Sequence, residues 1–280
     1  MLSYPLTPRT GHPTRIIEAG EPGQPLVFFV HGLAARADRW VRNLEVVAAA
    51  GFHAVAVDVP GHGFAARTED VPVSVTGVVD ELDAVLEALH AAGAAPSLSL
   101  VGSSVGGVYC AYLAERHASR TRSLHLSAPL GMEPLGERGR SGLASRLQDQ
   151  SAEAVRRKIE NLGLGNAAMV DRWVREELAA NGSSAGMDYL SRLADELAAN
   201  ADDHLLTTIL DGLRAKMAVY LYWGRRDAVV DVGIGERAAA ERGLPIELFD
   251  ASGHAPYLSE DEAFNAALLR DLSSALALRR

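Results

Sequence analysis

The chain has one cysteine, Cys110, so no intrachain disulfide can form and nothing calls for an oxidising compartment. Cys110 falls in a helical pattern, where a small buried side chain is the plain reading. Long apolar runs are also missing. The longest, such as Leu26 to Val30, fall far short of the roughly 20 residues that cross a bilayer. Met1 to Thr10 lacks the charged start and apolar centre of a secretory signal. A soluble cytoplasmic protein with no membrane partner is therefore expected. Basic clusters are absent as well: Arg156-Arg157, Arg225-Arg226 and Arg279-Arg280 are isolated pairs, and the formal net charge is -9. Polyphosphate binding needs clustered Lys and Arg, so nucleic acid is excluded as a primary partner. Lys158 and Lys216 are the only lysines among 27 basic residues. With the many alanines, this fits a GC-rich bacterial genome. No two of the nine histidines have metal-ligand spacing on one helix, so neither a metal nor a cofactor is expected.

What remains is an ordinary globular composition, 48% apolar and 22% charged over 280 residues. That length suits one large α/β domain or two smaller ones, and it buries a core without staples. Leu26 to His31, His53 to Val59, Leu98 to Ser103 and Met217 to Trp223 read as buried strands. Ser123 to Ala128 and Ile246 to Phe249 are weaker candidates, and Thr14 to Glu18 fits an edge strand. Between them Val75, Val78, Val79, Leu82, Val85, Leu86 and Leu89 trace one helix face ending near Gly93. Arg39 to Ala50 and a C-terminal stretch through Phe264, Leu268, Leu272 and Leu276 are also helical. This alternation predicts an α/β fold with a mostly parallel sheet flanked by helices.

One stretch departs from the alternation. Residues 131–214 show only helical patterns, among them Met169, Val170, Trp173, Val174 and Leu178, punctuated by Gly163, Gly165, Gly182 and Gly186. It is too long for a connection. The expected organisation is a core of 1–130 and 215–280 with a helical cap insert of 131–214. The plainer alternative is a second helical layer away from any site.

Gly102-Ser103-Ser104-Val105-Gly106 follows the strand at Leu98 and precedes a helix, Val105 to about His117. That is the G-x-S-x-G context in which a sharp strand-to-helix turn lifts a serine hydroxyl clear of the sheet, and it marks Ser104 as the candidate nucleophile. Ser103 is one position early. A second strand ends in His31-Gly32-Leu33, where the loop can offer a backbone N–H. The Leu33 and Val105 amides are the candidate oxyanion donors, and His31 braces the loop. Ser252-Gly253-His254 follows the last strand, so His254 is the candidate base; His12, His53, His90, His117, His125 and His204 have no partner pattern. Trp223-Gly224-Arg225-Arg226-Asp227 ends a strand in a turn, placing Asp227 as the acid that orients His254. Asp231 and Asp250 compete for that role. Gly61-His62-Gly63-Phe64-Ala65-Ala66 imitates a dinucleotide fingerprint, but no helical periodicity follows it, and a turn is the better reading.

Together the His31 loop, the Asp58-to-Gly63 turn, the elbow at Ser104 and the loops at Asp227 and His254 resemble the capped α/β-hydrolase superfamily, from about residue 14 to the C-terminus. The resemblance implies an eight-stranded sheet, of which six or seven strands are legible. It also implies an acyl-enzyme mechanism on an ester, thioester, lactone or amide of a small molecule, with the insert as lid. Trp40, Trp173 and Tyr257 are candidate pocket walls or plain packing. Carbon–carbon hydrolases, cyclases and non-catalytic receptors share these motifs, so the fold alone does not choose among them. No oligomeric state follows from the sequence.

Overall fold

Strands that are apolar on both faces are stable only when both faces are covered. In the computed structural model, which describes residues 1–163 and 166–277, the apolar runs form one eight-stranded sheet. Its strands are β1 (Leu2–Leu6), β2 (Thr14–Ala19), β3 (Leu26–Val30), β4 (His53–Val57), β5 (Leu98–Ser103), β6 (Thr121–Ser127), β7 (Ala218–Gly224) and β8 (Ile246–Phe249). Their spatial order is β1-β2-β4-β3-β5-β6-β7-β8. β2 runs antiparallel to β1 and β4, and the pairs from β4 to β8 are parallel. Gly165 and the pair Arg279-Arg280 lie outside the described residues.

Side-chain alternation sorts the core into two layers. Leu26, Phe28 and Val30 of β3 face α2 (Val75–Ala91), α3 (Val105–Arg116), α8 (Thr207–Arg214) and α9 (Val232–Arg242). Val27 and Phe29 face α1 (Val41–Ala49), the short α10 (Pro256–Ser259) and α11 (Asp261–Ala277). Each such side chain contributes about 1.5–3 kcal/mol on burial. Local chemistry sets the helix ends: the Ser74 side chain accepts from the Gly77 N–H at the start of α2, and Gly243 ends α9 at φ 61°.

β1 is the strand that the sequence did not reveal, in a segment read above only as lacking a signal peptide. It is an edge strand, with Leu2 64% exposed and Pro5 inside it, so it carries no buried alternation to read.

The insert consists of two helix pairs. α4 (Gly136–Gln148) lies on α7 (Ser184–Asn200) through Ala144, Leu147, Leu190 and Leu193. α5 (Ala152–Glu160) lies on α6 (Ala167–Asn181) through Val155, Ile159, Val170 and Val174. At its root the Leu206 N–H donates to the Gly131 carbonyl at 2.8 Å. Leu206, Leu210 and Leu213 then enter the main core, so α8 extends the sheet's own helical layer rather than the insert. Among the described residues no helix is long and apolar enough to cross a membrane.

Three buried imidazoles make the fold acid-sensitive. Burial pushes His31 down to about 4 and His62 and His125 down to about 3. Each is held as a neutral ring; His125, for instance, contacts the Tyr222 hydroxyl at 2.9 Å and the Ser123 hydroxyl at 2.8 Å. Unfolding restores the ordinary value of 6.5, so below it the unfolded chain takes up protons that the native chain refuses. The contribution of these three rings to stability is thus full well above pH 6.5 and declines toward pH 4, at up to about 4 kcal/mol per pH unit for the three together. Urea midpoints measured from pH 7.5 to 4.5 should fall steeply; a flat profile would contradict this account.

Candidate active site

The turn after β5 explains its glycines. A Cβ on Gly102 would meet the Gly106 carbonyl oxygen at 2.4 Å, and one on Gly106 would meet the Val30 and His31 carbonyl oxygens at 2.5 Å. The chain can turn this sharply, with α3 seated against the end of β3, only without those atoms. Ser104 occupies the corner at φ 55° and ψ -125°, a backbone region that costs a non-glycine residue about 1–3 kcal/mol. The corner is held by Ser104 N–H donating to the Ser127 carbonyl and by Gly107 and Leu130 N–H donating to the Ser104 carbonyl, all at 3.0–3.1 Å. Ser104 is half-buried, at the N-terminus of α3, whose dipole favours developing negative charge. Ser103, by contrast, is 2% exposed, with its side chain beside the Tyr257 phenol.

Strand register brings the other groups to the same edge. Ser103 pairs with Ser127, Ser127 with Tyr222, and Gly224 with Phe249, so β5 to β8 end side by side. Three strand spacings put β8 about 14 Å from β5. The five residues from Phe249 to His254 span at most about 17 Å, so the loop must fold straight back. It does: a Cβ on Gly224 would sit 2.0 Å from the Gly253 carbonyl oxygen, and Tyr257 reaches Ser103, the neighbour of Ser104.

Asp227 faces His254, with Oδ2 2.8 Å from Nδ1. Its other oxygen accepts the Val229 and Val230 N–H groups at 2.7 and 3.0 Å, and none of its side chain is exposed. The carboxylate fixes the proton on Nδ1 and leaves Nε2 as the basic nitrogen. Its competitors have other work. Asp231 caps α9 by accepting from Gly233 N–H at 2.9 Å, and Asp250 is a surface group beside Arg225.

His31 braces the loop after β3. Nδ1 donates to the Gly32 carbonyl at 2.8 Å, and Nε2 accepts the Val59 N–H at 2.9 Å. Gly32 passes directly over Ser104, where a Cβ would lie 3.0 Å from the Ser104 Cβ. No acceptor among the described residues takes the Leu33 or Val105 N–H, which leaves both free for a ligand. Ala34 follows in the left-handed region at φ 47°. Fully buried Asp58 pins the loop's far end, accepting the Ala37 N–H at 2.7 Å and the Arg15 guanidinium at 2.9 Å. Its carboxylate also fills the space beside Gly63, so the Gly61-His62-Gly63 segment is a turn with no helix following until α2.

The aromatic candidates divide. Trp40 exposes none of its surface and stacks on Tyr257 at 4.0 Å between ring centroids, in the same core as Phe29 and Phe264. Packing is the role of Trp40, and Tyr257 is 4% exposed. Trp173 on α6 stays half-buried beneath the Arg39 guanidinium, 3.9 Å from its ring centroid. Among the described residues no group of His, Cys, Asp and Glu could hold a metal ion.

Sequence reasoning missed an ionic cluster where the insert meets the His31 loop, with Arg36, Arg39 and Glu177 buried and Lys158 and Glu176 half-buried. A signal was present. Val170, Val174, Glu177 and Asn181 share the buried face of α6, and a carboxylate at such a position needs a partner.

Known proteins resemble the chain over most of its length. A model of the alpha/beta hydrolase family matches residues 27–267. A pimeloyl-acyl-carrier-protein methyl ester esterase of Neisseria meningitidis serogroup B (strain H44/76) is 27% identical over 258 residues, covering 88% of this chain and 91% of that protein. A monoacylglycerol lipase of Xenopus laevis is 26% identical over 280 residues, covering 92% and 78%. In shape, a 2-hydroxy-6-oxo-6-phenylhexa-2,4-dienoate hydrolase from Rhodococcus sp. strain RHA1 aligns at a TM-score of 0.82 with 18% identity, over 97% of this chain and all of that one.

Proposed function

The chain belongs to the α/β-hydrolase family, and from that premise we propose that it is a serine hydrolase cleaving an ester, thioester or lactone of a small molecule through an acyl-enzyme. The observation that carries this reading is the Asp227–His254 pair at 2.8 Å, placed on the sheet edge that also presents Ser104 at φ 55°. Nε2 of His254 takes the Ser104 proton as the oxygen attacks the carbonyl carbon. The oxyanion rests on the Leu33 and Val105 N–H groups, and each such donor is worth about 3–4 kcal/mol of barrier. The protonated imidazole gives its proton to the leaving group. A water molecule, deprotonated by the same nitrogen, then releases the acid and restores Ser104.

The insert between Gly131 and Leu206 serves as the cap. Support comes from its contact with the base loop, where the His254 N–H donates to the Asn161 carbonyl at 3.2 Å. A mostly apolar pocket beneath it, with Trp173 on its wall, would take the acyl or alcohol group. The names of the relatives point to esters. A fluorophosphonate should label Ser104, and a panel of p-nitrophenyl esters and thioesters should be turned over. Faster turnover of a vinylogous diketone than of any ester would move the assignment to carbon–carbon hydrolysis. Folded protein that neither takes the label nor turns over the panel would be a receptor on the same scaffold.

A further inference from the structure

We propose that Glu177 and Lys158, both on the insert, are positioning residues that hold the oxyanion loop in its working conformation. This rests on Leu33 N–H being the oxyanion donor, as read above.

Glu177 is 1% exposed and fully engaged. One oxygen takes the Lys158 ammonium and the Asn181 amide at 3.0 Å, and the other takes Arg39 Nη2 at 3.1 Å. Burial alone would push this carboxyl up, but the Lys158 and Arg39 charges outweigh it and hold it below its ordinary value. Lys158 spends another proton on the Ala34 carbonyl at 2.9 Å. One helical residue earlier, Glu176 grips Arg36. The segment from Ala34 to Arg39 is thus clamped by the insert on one side and by Asp58 on the other.

Two physical points give the clamp a purpose beyond packing. A buried ionic network adds little net stability compared with apolar side chains of the same volume; what it adds is direction. And Ala34 sits at φ 47°, a conformation that a residue with a Cβ keeps only when its surroundings impose it. The Lys158 ammonium holds the carbonyl of that strained residue, next to Leu33. Release of Lys158 lets Ala34 relax and turns the Leu33 N–H off its target. A ground-state substrate, which makes little use of that N–H, would still bind.

The test uses the full-length protein, a p-nitrophenyl ester as substrate and an alkylboronic acid as probe. The boronate binds the Ser104 oxygen and places its own oxygen in the oxyanion position. Lys158→Met should lower kcat by about 10- to 100-fold and weaken boronate inhibition by a similar factor, with KM within about twofold of wild type. Lys158→Arg, which can still reach the Ala34 carbonyl, should recover most of kcat. Glu177→Gln should fall in the same range, because the amide that replaces one oxygen must face either Lys158 or Arg39, donor against donor. If that variant does not fold, Lys158→Met decides, since 34% of the Lys158 side chain is exposed and its loss leaves the core filled. Folded Lys158→Met with wild-type kcat and boronate affinity, or a Lys158→Arg variant as impaired as Lys158→Met, overturns the proposal while leaving the serine hydrolase reading intact. Wild-type protein that neither hydrolyses esters nor takes up a fluorophosphonate overturns both.

Discussion

Ser104→Ala is expected to fold normally and to lose ester turnover by about four to six orders of magnitude, because attack, general-base catalysis and acyl transfer all need that oxygen. Ser104→Gly should be equally inactive and also more stable than wild type, by about 1 kcal/mol. The reason is the backbone: φ 55° with ψ -125° is a glycine conformation, and Ser104 holds it at a cost that alanine shares and glycine does not. Initial rates with a p-nitrophenyl ester and urea midpoints of the three proteins check both halves. Ester turnover surviving in Ser104→Ala would remove the nucleophile from this site. A glycine variant no more stable than the alanine one would remove the strain.

The second large effect is expected from Asp227→Asn, a loss of about 10⁴ in kcat with the site's shape preserved. The reason lies in the hydrogen bonds. Oδ1 accepts the Val229 and Val230 N–H groups, so the carbonyl oxygen of the new amide must stay there. Its NH2 group then faces His254 Nδ1, which must become an acceptor. The imidazole proton moves to Nε2, the nitrogen meant to receive the Ser104 proton, and the base is disabled in its own hydrogen-bonded pose. Asp231→Asn and Asp250→Asn should stay within about threefold of wild type, since one caps a helix and the other sits on the surface. If Asp250→Asn proved to be the crippled variant, the identity of the acid would have to change.

Much of this was legible in the chain itself. Buried parallel strands write themselves as short apolar runs, which is why β3, β5 and β8 fall within a residue of where the runs end. The Ser104 corner, the Gly224 turn and the Gly253 loop were readable because close backbone approach admits only glycine. Chain order then gave Asp227 and His254 their places. What was hidden depended on partners far away in sequence. β1 is an exposed edge whose pairing with β2 needs no apolar pattern. α8 shows the same periodicity whether it belongs to the insert or to the core, and only its contact with α3 and β7 decides. Trp40 reads as a pocket aromatic until Tyr257, 217 positions later, is seen to cover it. Arg36, Arg39 and Lys158 look like solvated charges because nothing local says that Glu176 and Glu177 will come down on them.

The root of the insert has a consequence for how such a protein can change. Gly131 and Leu206 meet through a single backbone hydrogen bond, so the chain leaves the sheet and returns to it at one point. Everything in between can be lengthened, shortened or exchanged without shifting a strand, since a connection whose ends already touch costs little more when it grows. One contiguous block of sequence can therefore be rewritten while every strand keeps its place. The block is tied to its surroundings at a few points: Lys158 on the Ala34 carbonyl, Asn161 on the His254 N–H, and the Tyr189 hydroxyl on the Pro72 carbonyl.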